Sequence, residues 1–227
     1  MPNFSNTQPS FNAIWQRVST AYGNLSGLDK KYLYWRVRIL YSMYFCYVVY
    51  YFTRKSLIFA QPLLMQQMHI SKASLGLLGS SFYLTYGVSK FLSGVISDKS
   101  NPRYFMAFGL IMTGILNLLF GFTSSMWLFA LIWILNGFFQ GWGWPPCARL
   151  LTHWYAKSER GMWWGIWNTS HNVGGALIPL IVAFSAIHWG WRYAMIIPSV
   201  IAIISGFLLL ERLRDVPKSM GLPEIED

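Results

Sequence analysis

The chain has 227 residues, 54% of them hydrophobic and 18% aromatic, with only 11% charged and a formal net charge of +10. Soluble domains carry about a quarter charged residues, so this composition argues against a soluble fold. It also argues against a nucleic-acid binder, because the basic residues punctuate long apolar stretches instead of gathering on one face.

The first 31 or so residues are polar and contain no apolar signal-peptide core, so the first spanning helix is expected to direct insertion. That span is predicted over 39–64, about 26 residues or ~39 Å of helix, enough to cross a bilayer with tilt. A polar break, residues 66–72, leads to a second span over 75–96. Residues 97–103 separate it from a third, 104–122. After the turn Thr123-Ser124-Ser125 a fourth runs over 127–144, where Pro145-Pro146 is expected to end it. Residues 152–160 are polar. A fifth span follows over 162–187, softened or broken at Gly174-Gly175 and Pro179, and a sixth over 191–210. The expected organisation is an N-terminal tail 1–36, a six-helix body 37–211 and a linker from 212 to 227.

Charge sorts these spans in the membrane. Arg17, Lys30, Lys31, Arg36, Arg38, Lys99, Arg103, Arg149, Lys157, Arg160, Arg212, Arg214 and Lys218 fall in the tails and the second and fourth loops. Only Lys72 and Arg192 fall in the loops on the other side. Positive residues remain on the cytoplasmic side, so both termini are expected there.

Three cations, Arg54, Lys55 and Lys90, are left inside spans, each costing about 2.5–3.5 kcal/mol on insertion scales. The acids Asp29, Asp98, Glu159, Glu211, Asp215, Glu224, Glu226 and Asp227 all lie in tails, loops or helix ends. Proton relays and cation channels place carboxylates among their helices, whereas here the compensating group is expected to be an anionic ligand. Arg offers a planar fork suited to phosphate or carboxylate, and Lys a mobile point charge.

Tyr47, Tyr51 and Arg54 are spaced i, i+4, i+7 on one helical face, and Tyr83, Tyr86 and Lys90 form a similar stripe on the second span. Lys55 is rotated ~100° from Arg54, and for it a structural or snorkelling role stands beside a functional one. His171 lies in Trp167-Asn168-Thr169-Ser170-His171-Asn172, a polar run that at membrane depth lines a cavity. Gly94 is expected to permit close helix contact. Asp98 is expected to accept from the next helix's amides or pair with an arginine, so that Gly94, Asp98, Lys99 and Arg103 form a clasp at the membrane rim. Cys46 and Cys147 lack metal-ligand or disulfide spacing and read as packing residues, and no cofactor is implied. No nucleophile–base pair or metal cluster suggests an enzyme.

The pattern Gly-x-x-x-Asp-Lys-x-x-x-Arg over Gly94 to Arg103 resembles the signature loop of the major facilitator superfamily. Tyr51-Phe52-Thr53-Arg54-Lys55, Tyr86-Gly87-Val88-Ser89-Lys90-Phe91, Gln140-Gly141-Trp142-Gly143-Trp144-Pro145-Pro146-Cys147 and the run from Trp167 to Gly175 are similar to the organophosphate:phosphate antiporter family. Thr53, Arg103-Tyr104-Phe105-Met106 and Ala148-Arg149-Leu150-Leu151-Thr152 resemble its hexose-phosphate branch, which includes a sensor member. The resemblance implies an all-α polytopic membrane fold in which six helices, as 3+3 inverted repeats, form the N-terminal half of a twelve-helix exchanger. It implies a bacterial inner-membrane protein swapping a sugar phosphate for inorganic phosphate by alternating access, or a sensor signalling to a histidine kinase. On matching motifs, Arg54 would hold the phosphate, His171 would respond to substrate, and Tyr47, Tyr51, Tyr86, Lys90, Trp144 and Trp167 would line the path. The family's second half, with its own arginine, would be a missing partner of this chain.

Overall fold

The computed structural model describes residues 23 and 26–225. Most of the tail expected over 1–36 therefore lies outside the described residues, as do Arg17, Glu226 and Asp227. The chain divides into two compact units, Met1–Val37 and Arg38–Asp227. In the first, the Ser26 hydroxyl caps a helix start: it accepts from the Asp29 amide at 3.1 Å and donates to the Asp29 carboxylate at 2.7 Å.

The described residues form helices α1 (Gly27–Met68), α2 (Lys72–Lys99), α3 (Pro102–Phe122), α4 (Met126–Gln140), α5 (Trp144–Trp154), α6 (Lys157–Asn168), α7 (Ser170–Trp189) and α8 (Trp191–Arg212). A 3-10 turn follows at Pro217–Met220, and no strand occurs among the described residues. The fold is all-α. α1 starts at Gly27, so residues 27–36, expected as tail, are helical. It ends where His69 turns to φ 54°, and Ser71 caps α2 by accepting from the Ser74 amide.

Two spans are interrupted in places the sequence reading did not expect. Pro145-Pro146 open α5 instead of ending a helix. Proline's fixed φ suits a first helical turn, where its missing N–H costs nothing. The break lies before them, at 141–143, where Trp142 stacks on Phe105 at 4.3 Å. In the fifth span, Gly174-Gly175 and Pro179 lie inside continuous helix, and the break falls at Thr169, between α6 and α7.

Pairing α4 with α5 and α6 with α7 gives six long segments. Pro102–Phe122, Met126–Trp154, Lys157–Trp189 and Trp191–Arg212 are long and apolar enough to cross a membrane. α1 and α2, at 42 and 28 residues, have the length but a more polar composition. α1 carries Arg54, Lys55 and Gln61, and α2 carries Ser81, Ser89, Lys90 and Ser93.

Within a bilayer no hydrophobic force drives helices together, so close packing and polar contacts do that work. α3 packs along α8 and α2 along α4. Asn117 ties three helices: its Oδ1 accepts from Ser56 on α1 at 3.1 Å, and its Nδ2 donates to the Met195 carbonyl at 3.0 Å on α8. Gln140 on α4 donates to Thr53 Oγ1 at 2.8 Å and the Tyr50 carbonyl at 3.2 Å, and the Tyr50 hydroxyl donates to the Met106 carbonyl at 2.8 Å. α7 meets α1 at Gly174, where a Cβ would lie 2.7 Å from both Tyr51 Cβ and the Val48 carbonyl oxygen.

Arginines close the helix ends, satisfying carbonyls that the helices leave unpaired. Arg38 donates to the Glu211 and Arg212 carbonyls of α8 and pairs with the Glu211 carboxylate at 2.8 Å. Arg192 donates to the Gly121 and Thr123 carbonyls at the end of α3. Arg149 donates to the Ser97, Asp98 and Ser100 carbonyls at the end of α2 and pairs with Asp215 at 3.2 Å. Residues 213–222, expected as the start of a linker, are anchored: Leu213, Pro217 and Leu222 are buried, and Trp154 donates to the Arg214 and Asp215 carbonyls.

Two outcomes follow. Gly174→Ala is expected to cost about 1–3 kcal/mol through overpacking, lowering the thermal unfolding temperature in detergent. Gly175→Ala, whose added Cβ meets nothing within 4 Å, should cause no loss. Arg149→Ala leaves its carbonyl partners unpaired, and hydrogen exchange is expected to quicken about tenfold or more at the amides of 98–104.

Candidate functional site

α1 carries Tyr47, Tyr51 and Arg54 on one face, and α2 brings Tyr86 against it. The Arg54 guanidinium carbon sits 4.2 Å from the Tyr86 ring centre and 4.9 Å from that of Tyr51, and Nη1 donates to the Tyr51 hydroxyl at 3.3 Å. Its Nε is buried without a hydrogen-bond partner. Tyrosine faces attract a cation by about 0.5–2 kcal/mol each, which softens burial without supplying a counter-charge. Lys55 joins the group despite its rotation from Arg54. It stands i+4 from Tyr51, and its Nζ reaches to 5.8 Å from that ring.

Lys90, one turn beyond Tyr86, bridges to the next helices. Its Nζ lies 5.9 Å from the Tyr86 ring and 4.8 Å from that of Trp144, which α5 presents at its first position. From Trp144 the aromatic wall continues edge-on to Trp164 at 5.6 Å and then to Trp167 at 5.6 Å. Trp167 packs 4.8 Å from Tyr47, and the His171 ring lies 5.8 Å from Tyr51. Arg54, Lys90, His171, Tyr47, Tyr51, Tyr86, Trp144 and Trp167 thus form one continuous patch on α1, α2, α5, α6 and α7.

Trp164 belongs to the patch and was missed. Its i, i+3 spacing to Trp167 in Trp163-Trp164-Gly165-Ile166-Trp167 was the available signal. Tyr83 does not belong. It is half-exposed and its ring meets Phe82 edge-on at 5.4 Å.

Charge at the patch is one-sided. Ion pairs such as Arg38–Glu211, Arg149–Asp215 and Arg212–Glu211 gather where α2, α5 and α8 end, away from Arg54. Among the described residues no carboxylate contacts Arg54, Lys55 or Lys90. Arg38, Arg103, Arg149 and Arg192, at the helix ends, are spent on backbone carbonyls, whereas the Arg54 guanidinium lies against Tyr51 and Tyr86. Such a patch can take a polyanion, with the guanidinium as a fork and the lysines as mobile charges.

The expected rim clasp is built differently. Asn101, not Asp98, caps α3, accepting from the Arg103 amide at 3.0 Å. The Asp98 carboxylate is exposed and has no partner among the described residues; only its backbone carbonyl is engaged, by Arg149. Arg103 donates to the Leu210 carbonyl of α8 and lies over Tyr104, and Lys99 stands exposed at the end of α2. Gly94 makes no close helix contact: a Cβ there would meet nothing within 4 Å, because it borders a cavity. The reason lies in the loop. The carbonyls of Ser97, Asp98 and Ser100 converge there as acceptors, and the Arg149 guanidinium on α5 donates to all three, whereas a carboxylate has no proton to give them.

The sequence profile of the Major Facilitator Superfamily matches residues 43–227. A probable hexose phosphate transport protein from Chlamydia muridarum is 63% identical over 199 residues, which cover 88% of this chain and 44% of that protein. The membrane sensor protein UhpC of Escherichia coli is 55% identical over 198 residues, covering 87% of this chain and 45% of its own length. The glycerol-3-phosphate transporter of Bacillus subtilis is 42% identical over 207 residues, 89% of this chain and 46% of that protein. The chain thus spans less than half the length of these relatives. Among solved structures, a bacterial homolog of the human lysosomal transporter Spinster, inward-facing and unoccupied, matches with a TM-score of 0.71 at 21% identity, over 81% of this chain and 44% of that one. With an all-α fold of long apolar segments and a profile match over most of its length, this chain is a multi-pass membrane protein of the Major Facilitator Superfamily.

Proposed function

We propose that this chain supplies one six-helix half of a sugar-phosphate transporter of the bacterial inner membrane. It exchanges a hexose phosphate for inorganic phosphate by alternating access. The observation that carries this reading is Arg54, held by Tyr51 and Tyr86 with a buried, unpartnered Nε and no carboxylate in contact. A phosphate monoester satisfies that vacancy with two oxygens at once. The relatives' names support the anion's identity, since hexose phosphate and glycerol 3-phosphate both carry a phosphate monoester as their charged group. Both termini lie in the cytoplasm, where the basic helix ends gather. The relatives' greater length supports a second half that closes the site from the opposite face.

The 55% identity to a membrane sensor favours a second reading: the same site detects external sugar phosphate and signals to a histidine kinase. Counterflow in phosphate-loaded vesicles, with the chain completed by a second six-helix half, separates the two. Exchange marks the transporter, and binding without exchange marks the sensor.

The site itself is tested on this chain in lipid nanodiscs. Arg54→Lys is expected to weaken inorganic phosphate binding at least about tenfold, because a point charge cannot make the bidentate contact. Phosphorus NMR line broadening reads that loss. Equal broadening by the lysine variant would remove Arg54 from the site.

A further inference from the structure

α3 and α8 give no residue to the cationic patch, and they are the most apolar of the four segments suited to crossing a membrane. They run antiparallel: a Cβ on Gly114 would meet Ile203, Ser199 and Ala202, and one on Gly206 would meet Ile111 and Ala107. One residue back from this seam, Met106 and Thr113 are buried and bonded to Tyr50 and Thr53 of α1. One residue on, ~100° round each helix, stand Phe108 and Ile115 on α3 and Val200, Ile204 and Phe207 on α8, all exposed. In an antiparallel pair that rotation carries both helices to the same side, so the five form one apolar strip facing away from α1. A partner closing over the patch would lie against α1, α2 and α5 to α7, which leaves the strip to the hydrocarbon.

Charge is concentrated at one end of this strip. α3 begins and α8 ends there, and Arg38, Arg103, Arg212 and Arg214 gather round the last turn of α8. Arg38 donates to the Glu211 and Arg212 carbonyls, Arg103 to that of Leu210, and Arg214 to those of Glu211 and Leu213. Glu211 pairs with Arg38 and Arg212, while Asp215, the next acid along the chain, is taken by Arg149. Four guanidinium groups thus share one carboxylate. Burial, and then the like charges of Arg103 and Arg38, hold the Arg214 pKa below its ordinary value. Two exposed tyrosines accompany the cluster: Arg103 lies 5.2 Å over the Tyr104 ring, and Arg212 donates to the Tyr41 hydroxyl at 2.9 Å. Tyrosine in such a position marks the headgroup depth of a bilayer.

We infer that the arginine cluster and the strip below it form a site for an anionic phospholipid. The guanidinium groups take the phosphodiester, Tyr41 and Tyr104 stand at headgroup depth, and an acyl chain lies along Phe207, Ile204 and Val200. Arginine forks match phosphate oxygens, and basic clusters at a membrane rim draw anionic headgroups. A zwitterionic lipid brings its own cation, which the cluster repels. Lipid is the occupant, ahead of a soluble phosphate, because the charge sits directly on an apolar strip that only a lipid would use. The site shares no residue with the Arg54 patch.

The test uses this chain in detergent with an equimolar mixture of phosphatidylglycerol and phosphatidylcholine, and native mass spectrometry counts the lipids each folded chain retains. Phosphatidylglycerol is expected to be kept about tenfold or more over phosphatidylcholine, and Arg212→Gln to lower that preference about fivefold. Arg212 side-chain nitrogens meet only the Tyr41 and Glu211 side chains, so this variant strips no helix carbonyl of its donor. Arg103→Gln should show a similar loss, and Arg212→Gln decides the matter if it folds poorly. Lys157→Gln removes the same charge from the exposed start of α6 and should leave the preference unchanged. Equal retention of the two lipids by the unmodified chain, or an equal loss in Lys157→Gln and Arg212→Gln, overturns the site. A large excess of inorganic phosphate should leave the lipid bound; displacement of the lipid would overturn the assignment in favour of a soluble anion.

Discussion

A cation set among aromatic rings, with no carboxylate in contact among the described residues, is the constraint around which the rest of the structure is arranged: the Arg54 guanidinium, its Nε buried, with partly exposed Lys90 nearby. π-faces take part of the charge: Tyr51 and Tyr86 around the guanidinium, Tyr86 and Trp144 around the ammonium. Each face supplies a fraction of what a counter-ion would, so the positive charge of the patch stays largely uncompensated. A carboxylate introduced beside Arg54 would relieve that imbalance. The acids' confinement to helix ends and loops is therefore as much a part of the site as the arginine.

This arrangement demands rigid support, and the support is polar. Asn117, Gln140, Thr53 and Tyr50 bind α1, α3, α4 and α8 through hydrogen bonds that hydrocarbon cannot disrupt. Thr53 and Ser56 turn into this network, and Tyr50, one turn before Arg54, joins it through its carbonyl and hydroxyl while its ring lies 6.1 Å from that of Tyr47. One helix thus carries both the scaffold contacts and the aromatic and cationic patch. Arginines at the helix ends finish the scaffold by closing α2, α3 and α8.

How much of this could be read in the sequence depended on the range of the interaction. Tyr47, Tyr51 and Arg54 were legible because their relation is a matter of helical spacing, and the lack of a counter-ion because it is a matter of inventory. Trp144 came only through resemblance, since nothing local marks it out from the chain's other tryptophans, whereas Trp167 stands i, i+4 from His171. Tyr83 shows the limit of spacing: seven residues place it near the Lys90 face but ~10 Å away along the axis, beyond a tyrosine's reach. The tertiary roles escaped altogether. Arg149 as cap of α2, Asn101 as cap of α3 and the break at Thr169 depend on which chain ends meet, and no periodicity encodes that.

Thr169 carries a mechanical consequence. It joins α6 to α7, and its hydroxyl lies 2.9 Å from that of Tyr44 on α1. Trp167 stands two residues before the joint and packs on Tyr47; His171 stands two residues after it and packs on Tyr51. The angle between the two helices is set at this one residue, so it fixes how the indole and the imidazole stand against α1 together. Gly174, pressed against Tyr51 and Val48, holds α7 as a fulcrum close beyond the joint. The joint is thus pinned to α1 at Tyr44 on one side and at Val48 and Tyr51 on the other, so α6 and α7 share one anchor line along α1.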